Sequence, residues 1–254
     1  MSDLGTRTIV AVALIAIAAL CLWLGGIAFW LLAVVAALFM MAEWVELHAP
    51  GQVRVKQVAQ FALSVPLAIM APVAAGPDFF ALGLVAGAAF FIAAVTRRGQ
   101  VGWGAAYVGL PVLALLLLRE RGLTLAFWAM ALVWATDIGA YFAGRTIGGP
   151  KIAPAISPSK TWAGLGGGVA AAFLFAYALH VAADLPLALA LVTPLLAVLA
   201  QMGDFYESWI KRRAGVKDSG NILPGHGGIL DRLDGLVPVA PAAALLVELP
   251  RWFA

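Results

Sequence analysis

Apolar runs of bilayer-spanning length follow one another along almost the whole chain, separated by short breaks of Gly, Pro or Asp. A helix crosses the hydrocarbon with about 20 apolar residues, within a range of about 17–25. In lipid every backbone polar group must be satisfied inside the protein, which leaves helices or closed barrels as the only spanning forms. The run from Thr8 to Leu47 is too long for one helix and is broken at Gly25-Gly26, so it divides into spans 8–24 and 27–47. Further spans fall at 57–75, 78–96, 101–118, 123–144, 162–183, 185–205 and 230–253. Turns such as Gly76-Pro77-Asp78 and Asp184-Leu185-Pro186 separate them. Strand alternation is absent, which argues against a barrel. The expected fold is therefore all-α and polytopic, with about nine transmembrane helices in a single membrane domain: a scaffold over 1–122, then functional helices and loops over 123–254. Composition agrees, being 63% hydrophobic and 11% charged, against about 45–50% and 25% in soluble domains. The single cysteine, Cys21, lies in an apolar run and offers neither a disulfide framework nor a metal site. The first apolar stretch lacks a clear cleavage signal and reads as a retained helix.

Charge placement sets the expected orientation. Nine spans put the N-terminus and four loops on one side, with Arg7, Arg54, Lys56, Arg97, Arg98, Arg145, Lys151, Lys160, Lys211, Arg212, Arg213, Lys217 and Arg232. The other side has Arg119, Arg121 and Arg251. Cytoplasmic loops carry the excess of Lys and Arg, so the N-terminus is expected in the cytoplasm and the C-terminus opposite. The two longest loops, 145–161 and 206–229, then face the cytoplasm. The net charge of +3 is a matter of loop placement here and implies no nucleic-acid partner.

Polar chemistry concentrates in Gly203–Asp234. Asp204 and Glu207 lie three apart at the end of one span; Asp231 and Asp234 lie three apart at the start of the next. Positions i and i+3 share a helix face, so two helices can turn two pairs of carboxylates toward one point. Such hard oxygen ligands suit Mg²⁺, which takes one or two carboxylates and completes its shell with water and substrate phosphates. The plainer reading is solvated helix ends paired with Lys211 or Arg232. Between the pairs, Gly225, Gly227 and Gly228 allow close backbone approach to a ligand, and the last two lead into a helix start that favours anions. Lys217 and the Lys211-Arg212-Arg213 run offer cations for phosphates, or ordinary positive-inside charge. His226 fits a phosphate donor, a general acid or a loop staple.

A second polar group lies upstream. Asp137 sits deep in an apolar run and shares a helix face with Tyr141. The following loop, 145–161, is rich in Gly, Pro and hydroxyls and carries Arg145, Lys151 and Lys160. It can cradle phosphates, or it is a plain loop closed by a helix cap at Thr161. Gly164-x-x-x-Gly168 on the next span reads best as close helix packing.

The stretch from Ser208 to Asp234, SWIKRRAGVKDSGNILPGHGGILDRLD, resembles the signature of the phosphatidate cytidylyltransferases (CDP-diacylglycerol synthases) at every defined position. Asp137, Ala140, Tyr141, Gly144, Arg145, Ser157, Pro158, Lys160 and Thr161 match upstream segments of that family. The N-terminal half agrees in hydropathy and at Arg7 and Glu43-Trp44, while Ser159 and Ala163 depart from the family's usual basic and acidic residues. The resemblance implies that CTP and phosphatidic acid react to give CDP-diacylglycerol and pyrophosphate for phospholipid synthesis, within a bacterial plasma membrane and at its cytoplasmic face. It implies a homodimer embedded in membrane lipid. Asp204, Asp231 and Asp234 are then expected to bind Mg²⁺, with a second cation nearby, and to act in catalysis with Lys217 and His226. Substrate contacts are expected from Asp137, Tyr141, Arg145, Ser157, Lys160, Thr161, Ser208, Lys211, Asp218, Gly225, Gly227, Gly228 and Arg232.

Three rivals share some of these features. An ion-coupled transporter would use intramembrane acids, but the polar stretch has no inverted repeat. A CDP-alcohol phosphatidyltransferase needs further acids after Asp231-Arg232-Leu233-Asp234-Gly235, and Leu236-Val237-Pro238-Val239 breaks that pattern. A CTP-dependent lipid-alcohol kinase would release CDP instead of pyrophosphate.

Overall fold

The computed structural model describes the backbone of residues 3–222 and 227–252, and the side chains of residues 12–222 and 227–249. Nine long helices run through the described chain, in the order the apolar runs suggest: α1 (Asp3–Leu24), α2 (Gly26–His48), α3 (Val53–Ile69), α4 (Phe79–Thr96), α5 (Gly99–Arg121), α6 (Leu123–Thr146), α7 (Trp162–Ala183), α8 (Leu187–Arg213) and, after the single turn α9 (Leu230–Leu233), α10 (Leu236–Trp252). Six of them (α2 and α4–α8) are long and apolar enough to cross a membrane. The chain is thus an all-α polytopic membrane protein. Large apolar side chains such as Phe61, Phe90, Val181 and Leu195 stand exposed on the outside, where hydrocarbon would cover them.

Local chemistry explains where the helices stop. Gly25 takes φ 65° between α1 and α2, and a side chain there would collide with the Arg119 guanidinium. Arg119 donates to the carbonyls of Leu22 (2.6 Å) and Trp23 (3.0 Å), closing the C-terminal end of α1 with a cation. Asp78 caps α4 by accepting from the Ala81 N–H at 2.9 Å. Arg121 and Glu248 form a two-point ion pair that joins α5 to α10.

Two corrections to the sequence reading concern the functional half. The loop after α6 is not irregular throughout: β1 (Lys151–Ala153) and β2 (Ser157–Thr161) pair antiparallel, with Lys151 opposite Thr161 and Ala153 opposite Ser157. The last span is not one helix from 230. It is broken at Asp234-Gly235, where α9 ends and α10 restarts at Leu236.

The glycines of α7 serve packing inside the chain. A Cβ on Gly168 would press on the Thr136 carbonyl, one on Gly164 on the Ala140 carbonyl, and one on Gly139 on Ala171 and the Gly167 carbonyl. The α6–α7 pair accordingly packs along an extended interface. One core cluster runs from Leu22 on α1 to Ala244 on α10 and draws side chains from both halves of the sequence.

Candidate active site

α8 carries the site on one side. At 100° per residue, Gln201, Asp204, Glu207, Ser208 and Lys211 fall on one face. That face can come close to α9 because residue 203 is glycine: a Cβ there would overlap the Asp234 carbonyl and touch the Pro238 ring.

Two lysines close two of the expected acids. Lys160, from β2, forms an ion pair with Asp204. Lys211 donates to Asp231 Oδ1 at 2.5 Å. Its ammonium also forms an ion pair with Glu207 Oε1 at 3.3 Å, although among the described residues neither buried Glu207 oxygen accepts a hydrogen bond. The Asp204 pair extends into a chain. Lys160 donates to Gln201 Oε1 (2.8 Å), and Gln201 donates through Nε2 to Asp137 Oδ1 (3.3 Å). Asp137, whose side chain is exposed, is thereby joined to a glutamine of α8, three residues before Asp204.

Asp231 holds the loop. Its Oδ2 accepts from the Ser219 N–H (2.9 Å), the Ser219 hydroxyl (2.9 Å) and the Gly228 N–H (2.8 Å). Asp234 differs. Its Oδ1 accepts from the adjacent Gly235 N–H at 2.7 Å.

The other expected residues divide. Ser208 donates to Asp204 Oδ1 at 3.2 Å. Thr161 is buried, and its hydroxyl accepts from the Gly164 N–H at 3.0 Å as the cap of α7; the plain cap reading holds for that oxygen. Ser157 is half-buried in β2, Arg145 is exposed in the last turn of α6, and Lys217, Asp218 and Arg232 are exposed around the loop. Tyr141 is largely exposed and meets Phe142 edge-on. Gly225 and His226 lie outside the described residues. The anion expected on the N–H groups after Gly227-Gly228 turns out to be the protein's own. The Gly228 N–H goes to Asp231, and those of Ile229 and Leu230 go to Glu43 of α2.

Glu43 and Gln201 are groups to which the sequence reading gave no role, while Glu207 was counted among the gathered carboxylates but not among the expected ligands. The signal was present, since each is a polar residue within an apolar run, where such groups are costly and tend to be functional.

Among the described residues no three acidic or histidine side chains converge as a ready-made metal site. The donor chemistry nevertheless fits Mg²⁺, which needs only one or two protein carboxylates. Asp204 and Asp231 offer hard oxygens now held by lysines, Asp234 accepts from the Gly235 N–H, and among the described residues the buried Glu207 oxygens have no hydrogen-bond donor.

A family model described as "Cytidylyltransferase family" matches residues 5–249. The chain is 43% identical over 254 residues to a phosphatidate cytidylyltransferase of Brucella suis biovar 1 (strain 1330), covering 97% of this chain and 93% of that one. It is 47% identical over 135 residues to a protein of the same name from Bacillus subtilis (strain 168), covering 52% and 50% of the two chains. A Staphylococcus epidermidis (strain ATCC 12228) protein of that name is 44% identical over 145 residues, 56% of each chain.

Proposed function

Because the chain belongs to the cytidylyltransferase family, we propose that it transfers the cytidylyl group of CTP to phosphatidic acid, making CDP-diacylglycerol and pyrophosphate. A phosphate oxygen of the lipid attacks the α-phosphorus of CTP. The bond from that phosphorus to the α,β-bridging oxygen breaks, and pyrophosphate leaves with the electron pair. The lipid phosphate is already anionic at neutral pH, so no strong base is needed. Such a transfer is mostly positioning and charge neutralisation.

The observation that carries the residue assignment is the pairing of Lys160 with Asp204 and of Lys211 with Asp231, beside Asp234 at the α9–α10 joint. Both lysines are within side-chain reach of the same carboxylates that would bind a cation. On entry of the CTP phosphates, Lys160 and Lys211 would exchange carboxylate for phosphate oxygens, and Asp204, Asp231 and Asp234 are the residues that would hold Mg²⁺. Bound Mg²⁺, with a second cation nearby, would neutralise charge on the phosphates and polarise the α-phosphorus. Arg145, Lys217 and Arg232 face solvent at the rim and supply further cations to the phosphates.

This reading puts the site at the cytoplasmic face of a bacterial plasma membrane, with nine spans, an N-terminus inside and a C-terminus outside. The 13-to-3 division of Lys and Arg across those spans supports it. A homodimer would use a face other than Gly164 and Gly168, which pack on α6 within the chain.

The test is product release from CTP, phosphatidic acid and Mg²⁺, with EDTA as control. Pyrophosphate and CDP-diacylglycerol formed only with metal and both substrates are the expected result. CDP without pyrophosphate would move the assignment to a lipid-alcohol kinase.

A further inference from the structure

Residues 219–220 and 228–230 of the family signature gather around a carboxylate from the far end of the sequence. Glu43 lies near the C-terminal end of α2 and is 4% exposed. A buried carboxylate needs donors to offset its desolvation, and among the described residues those of Glu43 are Ile229 and Leu230, with the Ser219 hydroxyl beside them. Glu43 Oε1 accepts from the Ile229 N–H (3.0 Å). Its Oε2 accepts from the Leu230 N–H (2.8 Å), and the Ser219 hydroxyl, whose one proton goes to the nearer Asp231 Oδ2, stands 3.2 Å from it.

The signature glycines fit the same side chain. A Cβ on Gly220 would stand 2.7 Å from Glu43 Oε1, and one on Gly228 would stand 2.6 Å from both Glu43 oxygens. These two glycines therefore make room for Glu43. The helix they precede, α9, has only four residues; a single turn has no stability of its own, and its leading N–H groups would be orphaned without an acceptor. The same Ser219 hydroxyl lies 2.9 Å from Asp231 Oδ2. Glu43 and Asp231 thus clamp one segment from two sides.

We infer that Glu43 is a positioning residue for the reaction: by binding the start of α9 beside Ser219, it sets Asp231 and Asp234 in the place from which they act. This rests on the proposed cytidylyl transfer and adds to it a part for the N-terminal helices. Glu43 itself touches no reacting atom. Its effect reaches the reaction through the loop 217–230.

The test compares wild type with Glu43→Gln and Gly220→Ala, purified in detergent. The amide introduced by Glu43→Gln must turn its NH₂ toward at least one backbone donor. Gly220→Ala keeps the charge and displaces it by a few tenths of an ångström; it is the milder variant should Glu43→Gln fail to fold. Three quantities are read: amide hydrogen exchange of Ile229 and Leu230, the Mg²⁺ concentration for half-maximal pyrophosphate release, and kcat against KM for CTP. The expected result for Glu43→Gln is at least a tenfold loss of exchange protection at those two amides. The half-maximal Mg²⁺ concentration rises several-fold and kcat falls at least tenfold, with the melting transition still cooperative. Gly220→Ala moves the same quantities less and in the same direction. Unchanged protection at Ile229 and Leu230 overturns the inference. So does an activity loss that only follows the fraction unfolded, with the Mg²⁺ dependence unmoved, since that is plain stabilisation. A wild-type protein that releases no pyrophosphate from CTP and phosphatidic acid overturns the functional reading instead, and hydrogen exchange then still decides whether Glu43 anchors the loop.

Discussion

Replacing Asp231 with Asn tests the site's electrostatics most directly. One terminal atom of the new side chain becomes an NH₂ group. Facing one way, it meets the three donors from Ser219 and Gly228; facing the other, it meets the Lys211 ammonium. Removing one partner of a buried pair costs about 3–5 kcal/mol. Glu207 lies 3.3 Å from the same ammonium and compensates it in part, which places the expected loss near the lower end, about 3 kcal/mol. At about 2–4 °C per kcal/mol for a chain of this size, the melting temperature should fall by roughly 6–12 °C. Lys211→Met should cost a similar amount, since it leaves Asp231 and Glu207 without their cation. The double variant removes anion and cation together and should be less destabilised than the two losses added, by about 2 kcal/mol. The assay is thermal unfolding in detergent with EDTA present, so that metal binding does not enter, followed by pyrophosphate release with Mg²⁺ restored. Losses that add to within about 0.5 kcal/mol would show the pair to be uncoupled and would refute this reasoning. Turnover should be lost in all three variants.

Gly203→Ala should lower both stability and turnover. Its methyl group meets the Asp234 carbonyl and the Pro238 ring, an overpacking cost of about 1–3 kcal/mol; Gly166→Ala, with nothing within 4 Å of the new Cβ, should be neutral or stabilising by the same melting assay. Thr161→Ala removes the cap of α7 and should cost about 1 kcal/mol, again read by melting.

How much was legible in the sequence follows from the range of the forces involved. Helix breaks at Gly25 and at Asp78 depend on neighbours within a turn or two, and the sequence displays them. The same holds for the Thr161 cap and for the helical face that Asp204 shares with Lys211. The interruption at Asp234-Gly235 was less visible, because the apolar run continues on both sides. It goes with the close seat of that joint on Gly203, Val133 and Ala200 from other helices.

By itself the sequence determined that this chain lives in a membrane as helices, and which carboxylates and cations are gathered near Asp204 and Asp231. Hydropathy and local spacing are written residue by residue and need no partner. Only the tertiary structure decided how those charges are matched. It gave Asp204 to Lys160, Asp231 to Lys211 and the start of α9 to Glu43. The physical reason is that a buried charge is stabilised by whichever donors packing brings within about 3 Å. Nothing in the order of residues says that a glutamate on α2 will be the acid that Gly220 and Gly228 leave room for.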